Sequence, residues 1–187
     1  MQTRRLGNTQ LELTTIGIGT WAIGGGDWSF GWGDQDEKEA VAGIHKGIEL
    51  GVNWIDTAAI YGDGASEVLV GKALREMPGS ERPLVATKCG RIMQEDATVK
   101  GCLTKESVVR ECEASLQRLG VECIDLYQIH WPDPDEDIEE AWSAMAEMKK
   151  EGKVREIGVS NHGVIQMERL RSIHPIASLQ PPYSMLN

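Results

Sequence analysis

Apolar runs of strand length alternate with segments of helical periodicity along this chain, and successive runs close on a polar side chain. Val52 to Asp56 ends in a carboxylate, Pro83 to Lys88 in a lysine and Ile124 to His130 in a histidine. Val154 to Val159 runs into Ser160-Asn161, and Ala177 to Gln180 ends in an amide. An earlier run, Ile-Gly-Ile-Gly-Thr at 16–20, leads into Trp21. Strands and helices alternating at this spacing imply right-handed βαβ units and a parallel sheet. No Gly-x-Gly-x-x-Gly follows the first run, which disfavours a classical dinucleotide-binding sheet. The expected fold is α/β, a parallel (β/α) TIM barrel. Barrels of that kind gather polar residues at the C-terminal ends of their strands. One strand-terminal polar group has an ordinary explanation as a cap or a solvated end; five in succession do not.

The intervening helices are legible from caps and spacing. Asp34 with Glu37 resembles a capping box ahead of Val41, Ile44 and Ile48, and Gly51 closes that segment. Ser66 to Arg75 carries Val70, Ala73 and Leu74 on one face. Thr104 caps a helix with Val108, Cys112, Ser115, Leu116 and Leu119, ended by Gly120. Ile138, Ala141, Trp142, Met145 and Met148 keep helical spacing up to Gly152, and these large side chains read as core. Met167 and Leu170 mark a further short helix, and Arg4 to Thr14 reads as a hairpin around Gly7-Asn8. Gly24 to Gly33 reads as a loop, with Trp28 and Trp32 either lining a ligand mouth or packing on the surface.

The chemistry concentrates after the strand at Val52. Asp56 ends it, and five residues later Tyr61 sits in a Gly-rich loop. A tyrosine hydroxyl ordinarily ionises near pH ~10, and a nearby ammonium favours the phenolate. Lys88 is the ammonium at the next strand end, and Asp56 is placed to keep it charged and oriented. Together they are expected to lower the ionisation of Tyr61 and make it a tuned proton donor. His130 is expected to orient a substrate oxygen by donating a hydrogen bond. The set suits proton transfer to an oxygen that becomes an alcohol, and it contains neither a nucleophile with its base nor a cluster of metal ligands. His45 and His174 read as structural, while the role of His162, just after the Ser160-Asn161 strand end, stays open.

Composition narrows the partners. With 19 Lys and Arg against 29 Asp and Glu, the formal net charge is -10. That balance argues against nucleic acid or a phospholipid surface as partner. No run approaches the ~18 apolar residues of a membrane span, and no basic-then-apolar signal region opens the sequence. Cys89, Cys102, Cys112 and Cys123 form no CxxC pair and are expected to be reduced thiols in a cytoplasmic protein.

The sequence resembles the aldo-keto reductases over essentially its whole length, from Arg4 to Asn187. The resemblance is carried by Gly-Ile-Gly-Thr-Trp at 17–21, Asp-Thr-Ala-Ala-Ile-Tyr-Gly at 56–62, and Gly-Ala-Ser-Glu at 64–67 followed by Gly-Lys-Ala-Leu. It continues through Ala-Thr-Lys at 86–88, Asp-Leu-Tyr-Gln-Ile-His-Trp at 125–131, Gly-Val-Ser-Asn at 158–161 and Gln-Pro-Pro-Tyr-Ser at 180–184. It implies an eight-stranded barrel that reduces aldehydes or ketones with NADPH, or alternatively NADH. By resemblance the catalytic residues are Tyr61, Lys88, Asp56 and His130. Ser160, Asn161 and Gln180 match the positions that hold the nicotinamide carboxamide, and Gly19, Thr20 and Trp21 those near the nicotinamide, where Asp56 also lies.

Six strands are counted where the family has eight. The expectation is therefore one domain over 1–187, C-terminally incomplete, in a polypeptide that continues. Self-association is admitted as a further partner alongside a small aldehyde or ketone. A cofactor-binding regulatory barrel with little turnover is the alternative reading, and an isomerase or hydrolase using the same acid a weaker third.

Overall fold

A computed structural model describes residues 1–26, 30–77, 79 and 82–185. Its centre is a six-stranded parallel sheet built from β3 (Ile18–Gly19), β4 (Trp54–Asp56), β5 (Leu84–Cys89), β8 (Ile124–Ile129), β9 (Val154–Ser160) and β10 (Leu179–Gln180). The spatial order is β10-β9-β8-β5-β4-β3, so each strand of the sheet lies beside its sequence neighbour within the sheet. Five helices connect and flank these strands: α1 (Glu37–Glu49), α2 (Ala65–Arg75), α3 (Lys105–Leu119), α4 (Ile138–Lys150) and α5 (Val164–Arg171). Besides short 3-10 turns at Ala22–Gly24 and Asp135–Asp137, two antiparallel hairpins complete the described elements. One is β1 (Thr3–Arg5) with β2 (Glu12–Thr14), where a hairpin was expected; the other is β6 (Arg91–Met93) with β7 (Val99–Gly101), for which no element was expected from the sequence.

The two faces of the sheet have different work. Side chains alternate along a strand, so residues two apart share a face. Ile55, Val85, Cys89, Tyr127, Ile129, Ile157 and Val159 join the core built with the helices, which includes the fully buried Trp142 and Met145. The opposite face begins with a small apolar layer, Ala86 and Leu126 packed with Leu11 and flanked by Leu6, Leu13 and Leu84. The β1–β2 hairpin thus covers the lower part of that face. Two residues further along, Lys88 lies beside Gln128, which lies beside Gly158 in the next strand. The alternation that buries Ala86 and Leu126 therefore delivers polar side chains to the C-terminal strand ends.

Helix boundaries follow local chemistry. Thr104 caps α3, its Oγ1 accepting from the Ser107 N–H, and Gly120 ends it in the left-handed conformation, with φ at 68°. The cap of α1 is Asp36 rather than Asp34: its side chain accepts from the Glu39 N–H, and no Glu37 box is needed. Between α2 and α3 a buried carboxylate acts as a clamp. Glu67 accepts from Thr87 Oγ1 at 2.5 Å and from Arg118 Nε at 2.7 Å. Among the described residues no helix is long and apolar enough to cross a membrane.

Candidate functional site

Lys88, at the end of β5, is only 2% exposed in its side chain and reaches across to the end of β4. Its ammonium donates to Asp56 Oδ1 and to the Thr57 carbonyl oxygen, each at 2.9 Å. A buried ammonium without such partners would lose its charge. The other carboxylate oxygen, Oδ2, accepts from Gln180 Nε2 at 3.1 Å, and Gln180 Oε1 in turn accepts from Gln128 Nε2 at 3.3 Å. One polar chain thus joins four strands, β4, β5, β8 and β10.

Tyr61 lies over this chain. The Lys88 Nζ is 5.4 Å from the centroid of its ring. Trp21 stacks on Tyr61 at 6.1 Å and 15°, and His130 meets it edge-on at 5.7 Å and 78°. The expected lowering of the Tyr61 ionisation is not what this arrangement produces. Burial of the phenol, followed by the Asp56 carboxylate, holds it well above the ordinary tyrosine range. The hydrogen bonds of Lys88 go to Asp56 and Thr57, so its charge is largely answered before it reaches Tyr61. His130 moves the other way: burial first, then the Lys88 and Arg91 charges, push it down to about 3. At neutral pH the pair is therefore a phenol and an uncharged imidazole.

The ends of β9 and β10 bring the remaining amides in. Asn161 has φ at 61°; Asn is one of the few side chains that tolerate this region. Its Nδ2 donates at 3.0 Å to the His130 carbonyl oxygen and to Ser160 Oγ, and Ser160 Oγ donates to the Gln180 carbonyl at 2.9 Å. Ser160, Asn161 and Gln180 are thus one connected group. Thr20 and Gly19 sit apart from it, on β3 and just after. Thr20 is buried, with Oγ1 donating to the Asp56 carbonyl at 3.1 Å and accepting from Ser66 Oγ at 2.8 Å. Gly19 is exposed, with no described atom within 4 Å of where a Cβ would stand.

A cavity of about 500 Å³ opens above these residues, lined by Trp21, Phe30, Ile60, Tyr61, Arg91, Val99, His130, Trp131 and Asn161. Its wall is mostly apolar, with Tyr61, His130 and Asn161 as the convergent polar groups expected of a small-molecule site. Sequence reading missed Phe30, Ile60, Arg91, Val99 and Trp131. The signal for Arg91 and Val99 was the pair of glycines at 90 and 101 bracketing two short extended segments. Trp32, offered as a mouth residue, packs tilted against Trp21 at 6.5 Å and is itself 75% exposed. Trp28 lies outside the described residues. His162 is buried, its Nδ1 2.8 Å from the Ser160 carbonyl oxygen, while His45 contacts the Ala73 carbonyl and His174 lies against Trp142.

What the site can receive follows from its polar groups and rings. The side-chain amides of Asn161 and Gln180, oriented by the hydrogen bonds above, suit a planar amide, and the Trp21 and Tyr61 rings suit a flat heteroaromatic ring. A nicotinamide fits that set. Among the described residues no group of three or more His, Cys, Asp or Glu side chains is arranged to hold a metal ion.

Known proteins match the same chain. The model of the Aldo/keto reductase family matches residues 15–187. The aldo-keto reductase YhdN of Bacillus subtilis (strain 168) is 40% identical over 185 residues, which are 99% of this chain and 54% of that protein. The NADH-specific methylglyoxal reductase of Escherichia coli (strain K12) is 37% identical over 194 residues, covering 97% of this chain and 59% of that protein. Among solved structures, the glycerol dehydrogenase of Gluconobacter oxydans superposes with a TM-score of 0.89 at 39% identity, over 99% of this chain and 56% of that one. The chain therefore spans little more than half the length of these proteins. Because the family match takes in all six strands of the central sheet, this chain belongs to the aldo/keto reductase family.

Proposed function

We propose that this chain carries the catalytic half of a nicotinamide-dependent carbonyl reductase that converts aldehydes or ketones to alcohols. The observation that supports it best is the Lys88–Asp56 ion pair buried beneath Tyr61 at the foot of an apolar cavity. In this reading the six strands form one domain over 1–187 and are part of a (β/α)8 barrel. A reduced nicotinamide, when bound, supplies the hydride. NADPH is the expected form by family resemblance, with NADH as the alternative. Ser160, Asn161 and Gln180 hold the carboxamide, and Gly19, Thr20 and Trp21 border the ring together with Asp56.

The residues divide the proton work between them. Tyr61, kept protonated by burial, donates its hydroxyl proton to the carbonyl oxygen as negative charge builds there. A phenol is a far stronger acid than the alcohol being formed, so the transfer runs downhill even with its ionisation raised. Lys88 supplies the positive charge that the phenolate needs once the proton has left, and Asp56 keeps that ammonium in place. Neutral His130 donates one ring N–H to the carbonyl oxygen and fixes its direction. The Trp21, Phe30 and Trp131 rings give the reacting atoms an apolar surround. The same reading places the protein in the cytoplasm, in keeping with four free cysteines.

The test is Tyr61→Phe on the full chain, with turnover followed by nicotinamide absorbance across a panel of aldehydes and cofactor affinity by titration. Reduction should fall by at least ~10²-fold with cofactor affinity nearly unchanged. Turnover retained in Tyr61→Phe would reject the donor role. A wild-type chain that binds cofactor yet reduces none of the aldehydes would favour the regulatory reading instead.

A further inference from the structure

The cavity wall holds a charged side chain that the reductase reading leaves without a role. Arg91 lies on β6, its guanidinium carbon 5.8 Å from the centroid of the Trp131 ring. Its Nη1 donates to Asp133 Oδ2 at 2.7 Å. The Arg91 side chain is 19% exposed, whereas that of Asp133 is 59% exposed. The support beneath is tight: a Cβ on Gly101, the hairpin partner of Arg91, would stand 2.1 Å from the Asp133 carbonyl oxygen. Arg91 is therefore held in place and mostly desolvated, unlike an arginine extended into solvent.

A guanidinium lying over an aromatic ring keeps its N–H groups at the in-plane edges, where a carboxylate can pair with two of them. Asp133 engages Nη1 only, which leaves the remaining N–H groups of the fork for a second acceptor. The exposed half of an ion pair contributes little, so sharing the guanidinium costs little. The Arg91 charge also reaches the catalytic end of the cavity, being one of the causes, after burial and Lys88, that keep His130 uncharged. Apart from Tyr61, His130 and Asn161, the described wall around it is apolar.

We infer that Arg91 is a specificity residue that selects carbonyl substrates carrying a carboxylate, holding that group while the carbonyl lies against Tyr61 and His130. This rests on the reductase reading. Asp133 is the acidic group facing Arg91 and sets the repulsion that an incoming carboxylate must overcome.

The experiment compares 4-oxobutanoate with butanal as substrates of the full chain, wild type, Arg91→Met and Arg91→Lys. The quantity read is the ratio of kcat/KM for the carboxylate over the neutral aldehyde. Wild type should favour 4-oxobutanoate by about tenfold or more, Arg91→Met should abolish the preference, and Arg91→Lys should restore part of it. A merely structural Arg91 would lower both substrates alike and leave the ratio unchanged, which would overturn the inference. A wild-type preference for butanal would overturn it as well. Benzoate and benzamide titrations, followed by tryptophan fluorescence, give a second readout that needs no turnover. Tighter benzoate binding in wild type, lost in Arg91→Met, supports the carboxylate contact even if neither aldehyde is reduced and the reductase reading falls. Equal affinity for the two ligands overturns it.

Discussion

The ammonium of Lys88 stands 5.4 Å from the centre of the Tyr61 ring, yet it donates to Asp56 and to the Thr57 carbonyl. The cation is thus held for a charge that appears only during reaction. Lys88→Met removes it and strands the Asp56 carboxylate with the Gln180 amide as partner. Turnover should drop by at least ~10²-fold, because nothing then stabilises the phenolate. Breaking a buried pair costs about 3 kcal/mol at the lower end of the usual range, which fits a carboxylate that is partly exposed. The double variant Asp56→Asn/Lys88→Met should recover part of that loss, since no unpaired charge remains. Urea midpoints of the wild type and the two variants check the stability half, and Lys88→Met turning over normally would remove Lys88 from the mechanism.

His130 gives the fold an acid-side weakness. In the unfolded chain it takes up a proton below about pH 6.5, whereas in the folded chain burial and the neighbouring cations defer this to about 3. The unfolded state therefore binds the extra proton throughout that window. Stability falls as pH drops across it, by at most about 1.4 kcal/mol per pH unit. His130→Gln removes the titration, so its urea midpoint should change less between pH 6.5 and pH 4 than that of the wild type. Equal slopes for the two proteins would contradict the buried neutral imidazole.

Glu111 on α3 has the opposite sign. It accepts from the Gly90 N–H at 3.0 Å, directly after the strand that carries Lys88, and from Ser107 Oγ at 3.3 Å. Burial raises its ionisation to about 7, against the partial relief of those hydrogen bonds and of Arg110 and Arg118. Between about pH 4.5 and pH 7 the unfolded chain has lost this proton and the folded chain retains it, so this group takes stability away as pH rises. Glu111→Gln keeps an oxygen for the Gly90 N–H and abolishes the titration. It should be more stable than wild type at pH 8 and nearly equal to it near pH 4, by thermal or urea unfolding. A variant less stable than wild type at pH 8 would mean that the charged carboxylate is worth more to Gly90 than burial costs.

The sequence was most legible where one physical rule acted alone. Val108, Cys112 and Leu119 lie on one face at helical spacing, and all three are buried on α3. Strand ends were equally plain, because an apolar run that stops at a carboxylate or a lysine leaves few other readings. The β6–β7 hairpin was missed since each arm has three residues, too few for alternation to register. The α1 cap was misplaced by two residues because Asp34 and Asp36 are equivalent in type and only the backbone chooses Asp36. The Tyr61 error has a different origin. Spacing along the chain shows that an ammonium is near, but the sign of the net shift depends on burial and on where the ammonium spends its hydrogen bonds, and both are three-dimensional quantities.

The position of Tyr61 depends on two glycines set back to back. Gly62 has φ at 60°, and a Cβ there would stand 1.8 Å from the Gly24 carbonyl oxygen and 3.0 Å from the Gly24 Cα. From the other side, a Cβ on Gly24 would come within 2.9 Å of both the Gly62 nitrogen and the Tyr61 carbonyl carbon. Every atom in this contact is backbone, so no side chain can swing aside. The contact joins the segment after β3, which carries Trp21, to the segment after β4, which carries Tyr61, and thereby sets their ring stack. Gly62→Ala combines strain from positive φ with overpacking, together about 3 kcal/mol, and should also displace Tyr61 from Lys88. Gly152→Ala is the control: its φ is 80°, but no described atom lies within 4 Å of the added Cβ. It should lose about 1 kcal/mol from the backbone alone and keep the stack. Unfolding midpoints and aldehyde turnover of the two variants, measured side by side, separate the terms. If Gly62→Ala proves no more damaging than Gly152→Ala in either measurement, the close approach of the two loops does not position Tyr61.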